Sequence, residues 1–143
     1  MLNSPAAAVL VFARVPGTHT AKSRLAAGVG RDEADRIYLR LLRRTSRVVE
    51  GKPYHVTFPD DTGPGSLRDM FGGAQSFFVH TGPTLGDRLR TAFEHLHAFG
   101  VSIVCAVGCD CPTMSSSDID RALELLNREC DVVLGPAEDG GYY

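Results

Sequence analysis

Short unbroken apolar runs alternate along this chain with stretches whose apolar residues recur every three or four positions. Ala6 to Ala13 reads Ala-Ala-Ala-Val-Leu-Val-Phe-Ala between Pro5 and Pro16-Gly17. An uninterrupted run of that length predicts a strand covered on both faces, and so a central parallel strand. A polar loop is expected next, through Arg14, Pro16, Gly17, Thr18, His19, Thr20, Lys22 and Arg24. From Asp32 to Val49 the apolar or small positions Ala34, Ile37, Tyr38, Leu41, Leu42, Thr45, Val48 and Val49 trace one helical face, with Arg36, Arg40, Arg43, Arg44 and Arg47 opposite. Gly51 and Pro53 stop that helix, and Tyr54 to Phe58 reads as a short strand ended by Pro59-Asp60-Asp61. Ser66 to Phe71 suggests one helical turn, and Gln75 to His80 another short strand.

The second half repeats the alternation. Thr84 with Asp87 three positions on is a capping-box variant that opens a helix, with Leu85, Leu89, Ala92, Phe93 and Leu96 as its inward stripe and Gly100 as its stop. Val101 to Val107 is a strand that breaks at Gly108-Cys109-Asp110-Cys111-Pro112. Ser115 and Asp118 cap a third helix whose inward residues are Ile119, Ala122, Leu123 and Leu126. Asp131 to Gly135 is read as the last strand, ahead of Pro136-Ala137-Glu138-Asp139-Gly140-Gly141-Tyr142-Tyr143. Strand alternating with helix, without repeat or low-complexity tract, predicts a mainly parallel sheet with helices on both faces. The 143 residues read as a single domain, 1–143.

Charge narrows the partners. Fifteen basic against seventeen acidic side chains leave a net charge of -2, so nothing global calls for nucleic acid or an anionic membrane. Thirteen of the basic residues are Arg, and the group between Arg31 and Arg47 reads as a solvated helix face rather than a basic patch. No cationic leader precedes the first apolar run, and the longest runs are too short to span a bilayer. With four cysteines in such a chain, the expectation is a soluble, cytoplasmic protein with reduced thiols.

Three segments offer chemistry. A buried strand that delivers Asp110 to a Gly/Pro-bounded turn places a carboxylate at the carboxyl edge of the sheet, where open α/β folds bind ligands. There it suits Mg²⁺ or Mn²⁺ held against a diphosphate, or simply caps the turn toward Ser115. The loop holding Gly17, Lys22 and Arg24 serves equally as a phosphate clamp or as plain surface, and its spacing is neither a Walker A loop nor a dinucleotide fingerprint. Glu138 and Asp139 in their glycine turn suit the handling of an acceptor hydroxyl, or form a polar turn. Cys109 and Cys111 lack the paired spacing of a zinc site and read as packing residues, and the five histidines show no triad order.

Several of these segments together resemble the DUF2064 group: Phe12-Ala13-Arg14-Val15-Pro16-Gly17 with Lys22-Ser23-Arg24-Leu25, Leu85-Gly86-Asp87-Arg88-Leu89, Gly108-Cys109-Asp110-Cys111-Pro112, and Asp131 to Tyr143. That group is similar to the GT-A nucleotide-diphospho-sugar transferases and includes glycosyltransferases linked to arsenosugar biosynthesis. The resemblance implies a Rossmann-like three-layer α/β/α sandwich with a mainly parallel sheet. It implies phosphate contacts from Arg14, Gly17, Lys22 and Arg24, nucleoside contacts near Gly86 and Asp87, Asp110 as the carboxylate of Mg²⁺ or Mn²⁺, and Glu138 and Asp139 facing sugar or acceptor. The spacer between Gly17 and Lys22 is slightly longer than in the group, and Ser23 stands where Thr is common.

The activity so implied is transfer of a sugar from a nucleotide-sugar to a small-molecule acceptor. The alternatives are a nucleotidyltransferase using a nucleoside triphosphate, or a non-catalytic nucleotide-binding or interaction module. Members of the group continue past the double tyrosine with further strands, so the expectation is a sandwich lacking the usual C-terminal strands. An exposed last strand of that kind leads to the expectation of a form that pairs as a homodimer or is only partly competent.

Overall fold

The computed structural model describes residues 6–18, 21–59, 63–128 and 130–143, so Pro5, His19, Thr20 and the Asp60-Asp61 turn of the sequence reading lie outside the described residues. Strands β1 (Ala7–Phe12), β2 (Tyr54–Pro59), β3 (Phe77–His80) and β4 (Ile103–Gly108) form one sheet in the order β3-β2-β1-β4, every neighbour parallel. The continuous apolar run does become an interior strand. Val9, Leu10 and Val11 are wholly buried, Val9 and Val11 turning to one face and Leu10 to the other.

The helices are α1 (Ser23–Val29), α2 (Arg31–Val49), α3 (Leu67–Met70), α4 (Leu85–Ala98) and α5 (Ser116–Arg128). On one face Tyr38, Leu42 and Val49 of α2, Leu67 of α3 and Ile119 of α5 pack onto Val9, Val11, Val56, Phe58 and Val107. On the other, Ala92 and Leu96 of α4 cover Leu10, with Phe12, Phe78 and Val104 at the margin. The product is a three-layer α/β/α sandwich around a parallel sheet. Both capping boxes form: Asp87 N–H donates to Thr84 Oγ1 at 3.1 Å while Thr84 N–H donates to Asp87 Oδ2 at 3.3 Å, and Ser115 and Asp118 repeat the exchange at 2.8 and 3.3 Å. Among the described residues no helix is long and apolar enough to cross a membrane.

Three expectations need correction. The polar loop ends at Lys22, two residues short of Arg24, because an unexpected helix, α1, begins at Ser23; it has no acidic residue in its first turn, no side-chain cap and no buried residue, so none of the usual start signals announced it. Leu85 is 67% exposed instead of inward. It sits in the first turn of α4, at the carboxyl edge of the sheet, where no strand lies beneath it. Asp131 to Gly135 does not join the sheet. Val132 and Leu134 stand 71% and 61% exposed, and the only bridge nearby is an antiparallel one between Pro136 and Tyr142. Strand propensity is realised only where a ladder satisfies the backbone, and among the described residues β4 pairs with β1 alone.

Candidate functional site at the carboxyl edge of the sheet

Because every strand is parallel, every strand-to-helix loop leaves from one edge. Phe12 of β1 is in register with Gly108 of β4, so the loop that carries Arg14, Gly17 and Lys22 emerges beside the turn that carries Asp110. Two segments almost a hundred positions apart in sequence thereby meet. Lys22 Nζ forms an ion pair with Asp110 Oδ1. The carboxylate of that pair is open to solvent, with its side chain 73% exposed, while the lysine stem is mostly covered at 20%.

The covering explains the geometry. Tyr38, buried in the α2 face, holds the loop from below: its hydroxyl accepts from Arg14 N–H at 2.8 Å and donates to Arg14 C=O at 3.0 Å. Its ring also lies 5.6 Å from Lys22 Nζ, so the ammonium rests over an aromatic face on its way to Asp110. Burial, aided by the neighbouring Cys109, pushes the Tyr38 hydroxyl far above its ordinary value and keeps it a donor at any working pH. Lys22 itself takes a left-handed conformation at φ 55° as it enters α1, an uncommon backbone for a residue with a side chain. Gly17, at φ 81°, makes the tight turn before it.

The cysteines around Asp110 are packing groups. Cys109 donates weakly to Phe12 C=O at 3.4 Å, and burial raises its thiol to about 12. A thiol that high is protonated and is neither a ready metal ligand nor a nucleophile. Among the described residues no group of three or more His, Cys, Asp or Glu converges to hold a metal. The donor chemistry nevertheless fits Mg²⁺ or Mn²⁺ in one way, with a single exposed carboxylate as the protein ligand and diphosphate oxygens and water supplying the rest.

The remaining expected residues fall in three places. Arg24 lies exposed on α1, two residues beyond Lys22. Gly86 and Asp87 lie at the start of α4, after β3 and on the same edge. Three strand spacings of about 4.8 Å separate β3 from β4, which puts that corner roughly 14 Å from Asp110. The hydroxyl of Thr84 is the chief reason the Asp87 carboxyl is held below its usual range, with Thr84 N–H and Arg90 assisting. Glu138 and Asp139 occupy the tip of a small exposed hairpin, closed by Ala137 N–H to Gly141 C=O at 2.8 Å and Gly140 N–H to Ala137 C=O at 3.1 Å. Among the described residues, no hydrogen bond or ion pair links either one to Asp110 or Lys22.

Sequence reasoning missed Tyr38 as part of the site, because an aromatic on the inward stripe of a helix reads as core. Its hydroxyl, a polar tip that needs a partner once the ring is buried, was the available signal.

Comparison with known proteins agrees with this architecture. The model of DUF2064, described as an uncharacterised protein conserved in bacteria, matches residues 44–143. Nothing among curated proteins matches the chain. Among solved structures, a protein of Desulfovibrio desulfuricans G20, described provisionally as a nucleotide-diphospho-sugar transferase, superposes with a TM-score of 0.85 at 27% identity, over 96% of this chain and 61% of its own length. This chain therefore spans less than two thirds of that relative.

Proposed function

Because the chain belongs to the DUF2064 family, whose fold it shares with a solved protein described provisionally as a nucleotide-diphospho-sugar transferase, we propose that it binds a nucleotide-sugar through its diphosphate and transfers the sugar to a small-molecule acceptor. The observation that carries this reading is the Lys22–Asp110 pair at the adjoining carboxyl ends of β1 and β4. A cation and a hard carboxylate side by side, the cation's loop fixed from below by Tyr38, suit a diphosphate and a divalent ion. A bare carboxylate would repel that diphosphate.

In the proposed complex the phosphate oxygens take over Lys22, which leaves Asp110 free as the protein ligand of Mg²⁺ or Mn²⁺. The metal, when bound, neutralises the charge that develops on the departing nucleoside diphosphate. Lys22 shares that charge from a position already set by the Tyr38 ring, so little reorganisation is needed as the bond breaks. Arg14, whose backbone is clamped by Tyr38, and Arg24 on α1 extend the cationic side of the seat. Gly86 and Asp87, about 14 Å away along the same edge, are assigned to the nucleoside end. Glu138 and Asp139 are assigned to sugar or acceptor.

The test is a thermal-shift series with nucleoside diphosphates and nucleotide-sugars, with and without Mn²⁺, on the native chain, Asp110→Asn and Lys22→Met. Native protein is expected to be stabilised by ligand and metal together, with Asp110→Asn losing the metal-dependent part and Lys22→Met losing most of the response. A full metal-dependent shift in Asp110→Asn would overturn the metal assignment. Release of nucleoside diphosphate, rather than pyrophosphate, on turnover would separate sugar transfer from nucleotidyl transfer.

A further inference from the structure

The exposed side of α2 carries Arg40, Arg43, Arg44 and Arg47 at helical spacings of three and four. Four guanidinium groups thus line a strip roughly 10 Å long. With Ser115 and Ser116 at the head of α5 they border a groove of about 560 Å³. The sequence alone favours a solvated face here, but the structure adds concavity and a second helix.

What sets this strip apart is that its guanidinium groups stand together, along one helix face, without a carboxylate. Six other cations each meet one: Lys22 with Asp110, Arg31 with Asp35, Arg36 with Glu33, Lys52 with Asp120, Arg90 with Asp87 and Arg128 with Glu124. Among the described residues Arg40, Arg43 and Arg47 enter no ion pair, and Arg44 donates to Met114 C=O at 3.1 Å. Like charges at these spacings repel, so the helix sustains a local positive charge in a chain whose net charge is -2. The nearest acid of α5, Asp118, is committed to its cap, accepting from Ser115 N–H and Oγ at 2.8 and 2.7 Å. The end of α5 is therefore already satisfied, and the positive charge of the groove comes from the arginine strip.

We infer that this groove binds a compact polyphosphate anion of the di- or triphosphate type, laid along α2 with the guanidinium forks on its non-bridging oxygens and Ser116 at one end. Guanidinium is planar, permanently charged and weakly hydrated, which suits it to bidentate contact with phosphate oxygens. The short strip and the absence of any aromatic lining residue favour such an anion over a nucleic-acid strand, which would need a longer track and rings on which to stack. The groove shares no residue with the Lys22–Asp110 seat.

Titration calorimetry with inorganic tripolyphosphate, without metal, tests the assignment. In the Lys22→Ala protein, where the edge seat is disabled, one saturable site is expected to remain. Adding Arg43→Ala and Arg47→Ala should weaken it at least tenfold, and Arg43→Lys with Arg47→Lys should recover only part of that loss, since charge is kept and the fork is not. A control that removes equal charge elsewhere, Arg36→Ala with Arg90→Ala, should leave it within about twofold. No saturable binding, or equal losses in the strip and control variants, would overturn the inference. Self-association through the strip in place of anion binding, seen as a dimer in sedimentation that the strip variants abolish, would overturn it as well.

Discussion

Tyr38→Phe removes one oxygen and keeps the ring, so it isolates the clamp on the first loop. Two hydrogen bonds disappear, the 2.8 Å bond from Arg14 N–H and the 3.0 Å bond to Arg14 C=O. Each such bond contributes about 0.5–1.5 kcal/mol net. Arg14 is only partly buried, so water can satisfy part of what is lost. The expected cost is therefore about 1–2 kcal/mol, which for a domain of this size corresponds to roughly 3–7 °C in Tm. Tyr38→Ala should cost more, about 3–5 kcal/mol, because the buried ring goes too.

Urea unfolding followed by circular dichroism gives the difference, with an unchanged slope confirming that the unfolded state is not involved. A ring kept in place should preserve the seat under Lys22, yet the unpinned Arg14 should weaken the response to nucleoside diphosphate in the thermal-shift assay. The native hydroxyl also predicts alkaline behaviour. Its folded value lies above the ordinary 10.0, so its contribution is present below that pH and is lost as pH rises beyond it, and Tyr38→Phe should flatten that decline. A loss below about 0.3 kcal/mol with native ligand response would refute the clamp outright.

Other sites give sharper local tests. His55 is buried with Nδ1 bonded to Ser76 Oγ at 2.7 Å and Nε2 without a partner, and burial, then His95, lowers its titration from 6.5. Stability should therefore be fully present above that pH and fall as pH drops through the lower folded value, and His55→Gln should remove this part of the slope; an identical pH profile would refute it. Gly82 sits at φ +135°, and an added Cβ would lie 2.5 Å from the Cβ of Asp87 in the first turn of α4. Gly82→Ala is expected to cost about 2 kcal/mol or more through backbone strain and displacement of that turn, so native stability in a thermal melt would contradict the geometry.

The parts of the fold that rest on local signals were legible in the sequence. The Ala6 to Ala13 run, the 3.6-residue stripe of α2 and both capping boxes each encode their own element, and the structure shows all of them. Where an outcome depended on a distant partner, the signal misled. Asp131 to Gly135 has strand-like composition, but a ladder needs a neighbour, and the sheet closes its order at β4 without it. Ser23 to Val29 failed in the opposite sense. It forms a helix with no cap, no first-turn acid and no buried residue, held against α2 where Arg31 donates to Ala21 C=O at 2.6 Å.

The candidate site divides along the same line. Asp110 and Lys22 could each be picked out because a charged group at the end of an apolar run is conspicuous by itself. Their contact could not, since it follows from the parallel pairing that sets Phe12 beside Gly108. Tyr38 was hidden for a different reason, as its ring satisfies the apolar pattern of α2 while its hydroxyl serves a loop 24 positions earlier. One residue thus belongs to the core by area and to the edge by hydrogen bonding. A helix placed under the sheet for packing thereby fixes the backbone of the loop that carries Lys22. Any substitution that tilts α2 should accordingly be felt at Lys22 before it is felt in the sheet.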